Sequence, residues 1–318
     1  MIHVLFSASR RKIGRPALAC TVAALALVLV GCASTPPASA PVASGAGTSE
    51  RADFAEFGDV AEFAAAVDLL PASVIDGGKL TVVMNVSSAP TKFYAEDNST
   101  IVGLNADISR LIGKTLGLDV EINDVQFDGI IPALEGERYQ LAVSSMATSP
   151  ERISVLDMID YASWGSALAA ASGNPDELTL DNLCGQNIAV QMGSYQESTT
   201  IPTLSKAACE DLGKPAINMV ILPSQQDALI QLTAGRVVGV IADGPVLSYA
   251  TVQQPDRFEV IAEINPSTVS LATKKNSELT AAVQSAMQHV LTLPEYTEAL
   301  SKWGIDTAAI SEATLHVE

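Results

Sequence analysis

From residue 79 onward, short apolar runs alternate with stretches of helical period. Residues 79–86, KLTVVMNV, read as a strand that follows a turn at Asp76, Gly77 and Gly78. A polar loop over 87–94 and a turn at Glu96, Asp97 and Asn98 lead to a helix opened by Gly103, Leu104, Asn105, Ala106 and Asp107. Its inner face is Ile108, Leu111, Ile112 and Leu116. Residues 119–125 form the next strand. Ile130, Ile131, Ala133 and Leu134 then signal a short helix broken at Gly136. Residues 140–143 are a strand that ends in the small residues Ser144 and Ser145. Ser149, Pro150, Glu151 and Arg152 follow, with Ser at the N-cap and Pro at the first helical position, which marks a helix start.

The pattern then repeats. Past Val155, Met158, Tyr161 and Trp164 comes an apolar strand at 167–171 and a break at Asn174, Pro175 and Asp176. Further strands are expected at 187–191, 219–222 and 237–242, with a loop and helix start at 193–198 and a helix at 225–233 ended by Gly235. The tail adds a strand at 269–273, a helix at 277–291 and a last short helix ending at Lys302, Trp303 and Gly304. Strand–helix alternation predicts α/β lobes with mostly parallel sheets, and two such units predict two lobes facing across a cleft. Ligands of such sheets sit beyond the carboxyl ends of the strands, where Ser145 and Asp243 fall.

Upstream the pattern changes. Phe54, Phe57, Val60, Phe63, Ala64 and Val67 recur at helical spacing and predict a short amphipathic helix. Residues 33–50 are mostly Ala, Ser, Pro, Gly and Thr with no apolar period, the composition of a tether. Before them, Arg10, Arg11, Lys12 and Arg15 precede an apolar run at 17–30, too short for a comfortable membrane span. That run closes on Leu29, Val30, Gly31 and Cys32, which resembles the bacterial lipobox, whose Cys is acylated after cleavage; the other reading is an uncleaved anchor helix. The expectation is a lipoprotein signal segment at 1–31, a lipidated Cys32, a tether at 32–50, and an extracytoplasmic protein held at the cell membrane.

Composition adds exclusions. The chain has 318 residues, 48% hydrophobic and 17% charged, enough for two lobes. Its formal charge is −18, and the four basic groups named above lie in the signal segment, so the remainder is more acidic still. That argues against nucleic acid as a partner. His3, His289 and His316 are scattered without ligand spacing, so neither a metal site nor another cofactor is expected. Cys20 lies in the signal segment and Cys32 at the lipobox, which leaves Cys184 and Cys209 as the pair available for a disulfide on an oxidising surface; two buried free thiols are the alternative.

The candidate chemistry is anion capture. A strand feeding small residues and then a helix start, with Arg152 in its first turn, suits a small carboxylate. Arg152 could instead pair with Glu151 or Asp157 at the surface, a bland use of such a residue. Asp243 could be the N-cap of a helix beginning at Gly244 and Pro245. Ser194 and Gln196 read equally as ligand contacts or helix caps.

These stretches together carry a resemblance. Residues 78–304, with KLTVVMNV, GLNADI, FDGIIPALEGERY, SSMATSPER, DNLCGQNIAVQMGSYQES, LTAGRVVGVIADGP and the closing KWG, resemble the solute-binding proteins (family 3) of bacterial polar amino-acid ABC importers. The resemblance implies a periplasmic-binding-protein type II-like fold, two Rossmann-like lobes joined by a two-strand hinge. Lobe one would span 51–165 and 266–318, and lobe two 166–265. It implies a monomeric binding protein, not an enzyme, that hands its ligand to a membrane permease. By the same resemblance Arg152 meets the ligand α-carboxylate and Asp243 the α-ammonium. Ser145 and the backbone of Ala147 cap the carboxylate from lobe one, Ser194, Tyr195 and Gln196 form the matching loop of lobe two, and Phe127 is a pocket wall. Two positions depart from the family. Ala147 stands where Ser or Thr is frequent, and Thr91 where an aromatic usually stacks on the ligand. A dehydratase-type enzyme and a sensor lipoprotein are the alternatives on this fold.

Overall fold

The computed structural model describes residues 60–317. The expected signal segment, Cys32, the tether, and Phe54 and Phe57 of the first helix lie outside the described residues. Among the described residues no helix is long and apolar enough to cross a membrane.

Among the described residues nine strands form one sheet, eight of them in a single path whose order repeats a motif and the ninth, Leu315–His316, paired to Leu156–Ala171. In the first lobe Lys79–Met84 lies between Asp119–Asp124 and Leu141–Ala147, parallel to both. In the second, Asn187–Gln191 lies between Asn218–Leu222 and Gly239–Asp243, again parallel to both. Between these triplets run two long antiparallel strands, Leu156–Ala171 and Phe258–Lys274, which carry the chain from one lobe to the other and back. They cross near Gly165, paired with Pro266, and Ser166, paired with Ile264. A Cβ on Gly165 would sit 2.3 Å from Ile264 O, so the close approach of the two backbones requires glycine there.

Each lobe has its own core. Leu80, Val82, Ile108, Leu111, Leu141, Ile159, Leu271, Val283 and Met287 are buried together in the first. Leu168, Ile188, Val190 and Ile241 fill one face of the second sheet, and Ala189, Val240, Leu229 and Leu247 the other. Side chains of this size contribute about 1.5–3 kcal/mol each when fully buried. The helix Leu104–Leu116 begins after Gly103 (φ 115°) and ends at Gly117 in the left-handed conformation, the usual helix C-terminal signal. Thr280–Val290 packs on it, and Trp303 Nε1 donates to buried Asp107 at 2.7 Å, so the tail belongs to the first core.

Several elements differ from the sequence expectation. The strand expected at 140–143 continues to Ala147, with Ser145 at φ 57° inside it; a register shift in the neighbouring strand absorbs the irregularity. The strands expected at 167–171 and 269–273 are parts of the two long crossover strands. The helix Ala72–Gly77, the small pair Phe93–Tyr94 with Ile101–Val102, and the closing strand Leu315–His316 were not anticipated, whereas Gly244–Gln253 is the helix offered with the alternative role of Asp243. The helix read into 54–67 is only Ala64–Val67 among the described residues, with Phe63 stacked on His289 at 4.2 Å. Cys184 and Cys209 form a disulfide with Cα atoms 5.4 Å apart, as expected.

Candidate functional site

The loops at the carboxyl ends of the two parallel triplets face one another, and ten residues line a single cleft between them. They are Phe127, Ser145, Ala147 and Arg152 from the first lobe, and Gln191, Ser194, Tyr195, Gln196, Gln225 and Asp243 from the second. Every residue proposed from the sequence as ligand-binding is present except Thr91. That residue is buried nearby, where its hydroxyl donates to Ser88 O at 3.0 Å. Gln191 and Gln225 were missed.

Arg152 sits in a one-turn helix, Pro150–Ile153, whose N-cap Ser149 accepts from Arg152 N at 3.3 Å. So short a helix has little dipole, and the anion attraction lies in the guanidinium itself. It is 7% exposed and makes no surface ion pair with Glu151 or Asp157. Instead Nη1 donates to Ala147 O at 2.6 Å, and Nη2 to Gly193 O of the other lobe at 3.0 Å. The guanidinium carbon lies 5.7 Å from the Phe127 ring centroid. Burial lowers its pKa to about 10, opposed by the attraction of Asp243, Glu151 and Tyr195.

Asp243 ends its strand and opens the helix Gly244–Gln253, yet its side chain makes no capping bond. Its carboxylate oxygens accept from Gln196 Nε2 and Gln225 Nε2, both at 2.9 Å. Two amides therefore aim the carboxylate at the cleft, which is 6% exposed at this residue. Ser194 Oγ accepts from Glu197 N at 3.1 Å, so this hydroxyl does cap the following helix. Gln191 Nε2 crosses the cleft to Asn85 Oδ1 at 2.9 Å. On the first-lobe wall Ser145 Oγ accepts from Asn105 Nδ2 at 3.0 Å, and Asn105 Oδ1 accepts from Tyr161 OH at 2.8 Å.

The enclosed space is about 10 Å³, room for roughly one water. With Arg152 bonded to Gly193 O and Gln191 to Asn85 across it, the cleft is closed, and a ligand larger than water reaches Arg152 and Asp243 only when the lobes part. Among the described residues no group of His, Cys, Asp and Glu is arranged to hold a metal ion.

Two α/β lobes hinged on two strands, with a buried cation on one side of the cleft and a buried carboxylate on the other, are the layout of a protein that encloses a small polar solute. The chain belongs to the bacterial extracellular solute-binding proteins, family 3, which it matches over residues 80–306. It is similar to the arginine-binding protein ArgT of Corynebacterium glutamicum, 26% identical over 249 residues that cover 78% of this chain and 81% of that protein. It is also similar to the arginine-binding extracellular protein ArtP of Bacillus subtilis, 23% identical and covering 72% of this chain and 88% of that one. Among solved structures, an ancestral arginine-binding protein bound to arginine superposes with a TM-score of 0.65 at 28% identity, covering 71% of this chain and 98% of that one. The ancestral amino acid-binding protein AncCDT-1, a precursor of cyclohexadienyl dehydratase, shares the fold with a TM-score of 0.65 at 23% identity, covering 74% and 98%.

Proposed function

We propose that this protein is the substrate-binding receptor of an amino-acid ABC importer. Lobe one (51–165 and 266–318) and lobe two (166–265) close on a small zwitterion and deliver it to the permease. The chain is processed after residue 31, acylated at Cys32, and tethered to the extracytoplasmic face of the membrane by residues 32–50.

The observation that carries the reading is the pairing of Arg152 with Asp243 in one cleft. Each is contributed by a different lobe, each is buried, and neither has an oppositely charged partner within ion-pair distance among the described residues. An α-carboxylate answers the first and an α-ammonium the second, at the cost of parting the contacts of Arg152 with the two carbonyls. A ligand bridging both charges stabilises closure, because the open form offers only one of them at a time. Ser145, Ala147, Ser194, Tyr195, Gln196 and Phe127 supply the walls. The relatives named for amino-acid binding support the same ligand class.

The test is a thermal-shift screen against the natural amino acids. A ligand at about 100 times its Kd adds about 2.7 kcal/mol of stability. A shift by at least one amino acid, lost in Arg152→Met, is the expected result. The receptor reading fails if no amino acid moves the midpoint.

A further inference from the structure

Lys92 is a buried cation directly behind the first-lobe wall of the cleft, next to Ser145 but not itself lining it, and the zwitterion has no use for it. Its side chain is 1% exposed. Its Nζ lies 3.4 Å from Thr91 Oγ1 and 3.4 Å from Ser145 Oγ, both at the outer limit of a hydrogen bond. It takes part in none of the ion pairs among the described residues. Burial lowers its pKa to about 8, opposed by Asp243 across the cleft, so it remains charged at neutral pH.

The backbone beneath it is fixed. Asn105 N donates to Thr91 O at 2.8 Å, and Gly103 approaches so closely that a Cβ there would lie 2.5 Å from the same carbonyl. Through Ser145 the ammonium head reaches the wall of the cleft. Ser145 Oγ also accepts from Asn105, and the lysine's own contacts are neutral hydroxyls at the limit of a hydrogen bond, so it has no strong acceptor. A buried charge without a strong acceptor is costly, and a ligand that supplies one recovers that cost.

The charges at the closed cleft are therefore Arg152 and Lys92 against Asp243. A neutral zwitterion satisfies Arg152 and Asp243 and leaves Lys92 as it was. Arginine would bring another cation into the same water-poor space. A ligand with a second carboxylate gives Lys92 its partner and makes the enclosed charge balance.

We propose that Lys92 makes this cleft select an acidic amino acid, glutamate or aspartate, over neutral amino acids and over the arginine named for its relatives. The assignment rests on the zwitterion reading of Arg152 and Asp243.

The test is calorimetric titration of the purified full chain with L-glutamate, L-aspartate, L-glutamine and L-arginine. The better acid is expected to bind about 10- to 150-fold tighter than glutamine, the worth of a hydrogen bond to a charged group, and arginine is expected to bind least. Lys92→Met should bring the glutamate-to-glutamine ratio to within about threefold, the size of ordinary context effects. Lys92→Gln, which keeps a polar head, should do the same and covers the case in which the first variant does not fold. Tighter binding of arginine or glutamine by the unaltered protein overturns the assignment and leaves the receptor reading in place. An acid preference that persists in both variants also overturns it. If the unaltered protein titrates none of the four and no other amino acid binds, the receptor reading fails and the role of Lys92 goes with it.

Discussion

Replacing Arg152 with Met keeps most of the aliphatic stem and removes the guanidinium. In the unliganded protein the change deletes charge-assisted bonds to Ala147 O and Gly193 O, each worth about 1.5–3 kcal/mol. It also removes a buried charge whose pKa burial lowers to about 10 against the pull of nearby negative groups, a net cost of about 3 kcal/mol. The two effects largely offset, so the unfolding free energy should change by no more than about 3 kcal/mol. Binding has no such offset, because on the proposed reading the ligand α-carboxylate loses the cation assigned to it. Truncating one partner of a buried charge pair costs about 2–5 kcal/mol, or about 30- to 5,000-fold in Kd. Calorimetric titration gives the affinity and urea unfolding the stability, so the two are read separately. A folded Arg152→Met protein whose Kd rises less than about threefold refutes the assignment of Arg152 to the carboxylate, since no charge-pair loss is that small.

Three further outcomes follow from other parts of the fold. Gly165→Ala places a methyl against Ile264 O at the strand crossing and should destabilise by about 1–3 kcal/mol, the cost of overpacking; an unchanged urea midpoint contradicts the close approach. Lys92 titrates at about 8 when folded and at about 10.4 when unfolded, so between these values the unfolded chain binds more protons and stability rises with pH. The gain should reach about 2 kcal/mol by pH 9.5 and be missing from Lys92→Met, whereas equal slopes in the two proteins would refute it. Arg152, lowered to about 10, and Tyr161, raised by burial, contribute mainly above about pH 9.5 and so overlap only the top of this window. Reducing the Cys184–Cys209 bond, which spans 25 residues, should cost about 3 kcal/mol of stability. It should leave ligand affinity within about twofold, because neither cysteine lines the cleft.

The parallel triplets were legible because their strands are apolar runs bounded by turns and their helices keep a steady period. The long crossover strands were not, because Ser163, Gly165 and Ser166 on one and Asn265, Pro266 and Ser267 on the other interrupt the apolar pattern where the chain passes between lobes. Partial exposure on both faces there removes the alternation that marks a half-buried strand. The helix Gly244–Gln253 was legible only through an alternative role for Asp243, because Gly and Pro at its start also suit a turn. At the site, Arg152 and Asp243 were found because each follows a strand's carboxyl end. Gln191 ends a strand in the same way, and that rule alone points to it. Gln225 and Lys92 carried no such signal. The burial of Lys92 depends on how Gly103 draws the loop inward, a tertiary fact with no local trace.

Whether one ligand satisfies Arg152 and Asp243 together is read from a set of blocked ligands. The amino acid that binds best is titrated beside its N-acetyl derivative, which lacks the ammonium, and its α-amide, which lacks the α-carboxylate. Each blocked form is expected to bind at least about 30-fold more weakly than the parent, the lower bound for losing one buried charge pair. Asp243→Asn should narrow the gap for the N-acetyl form alone, and Arg152→Met for the amide alone. An N-acetyl or amide form that binds as tightly as the parent contradicts the account, because one of the two charges would then hold nothing.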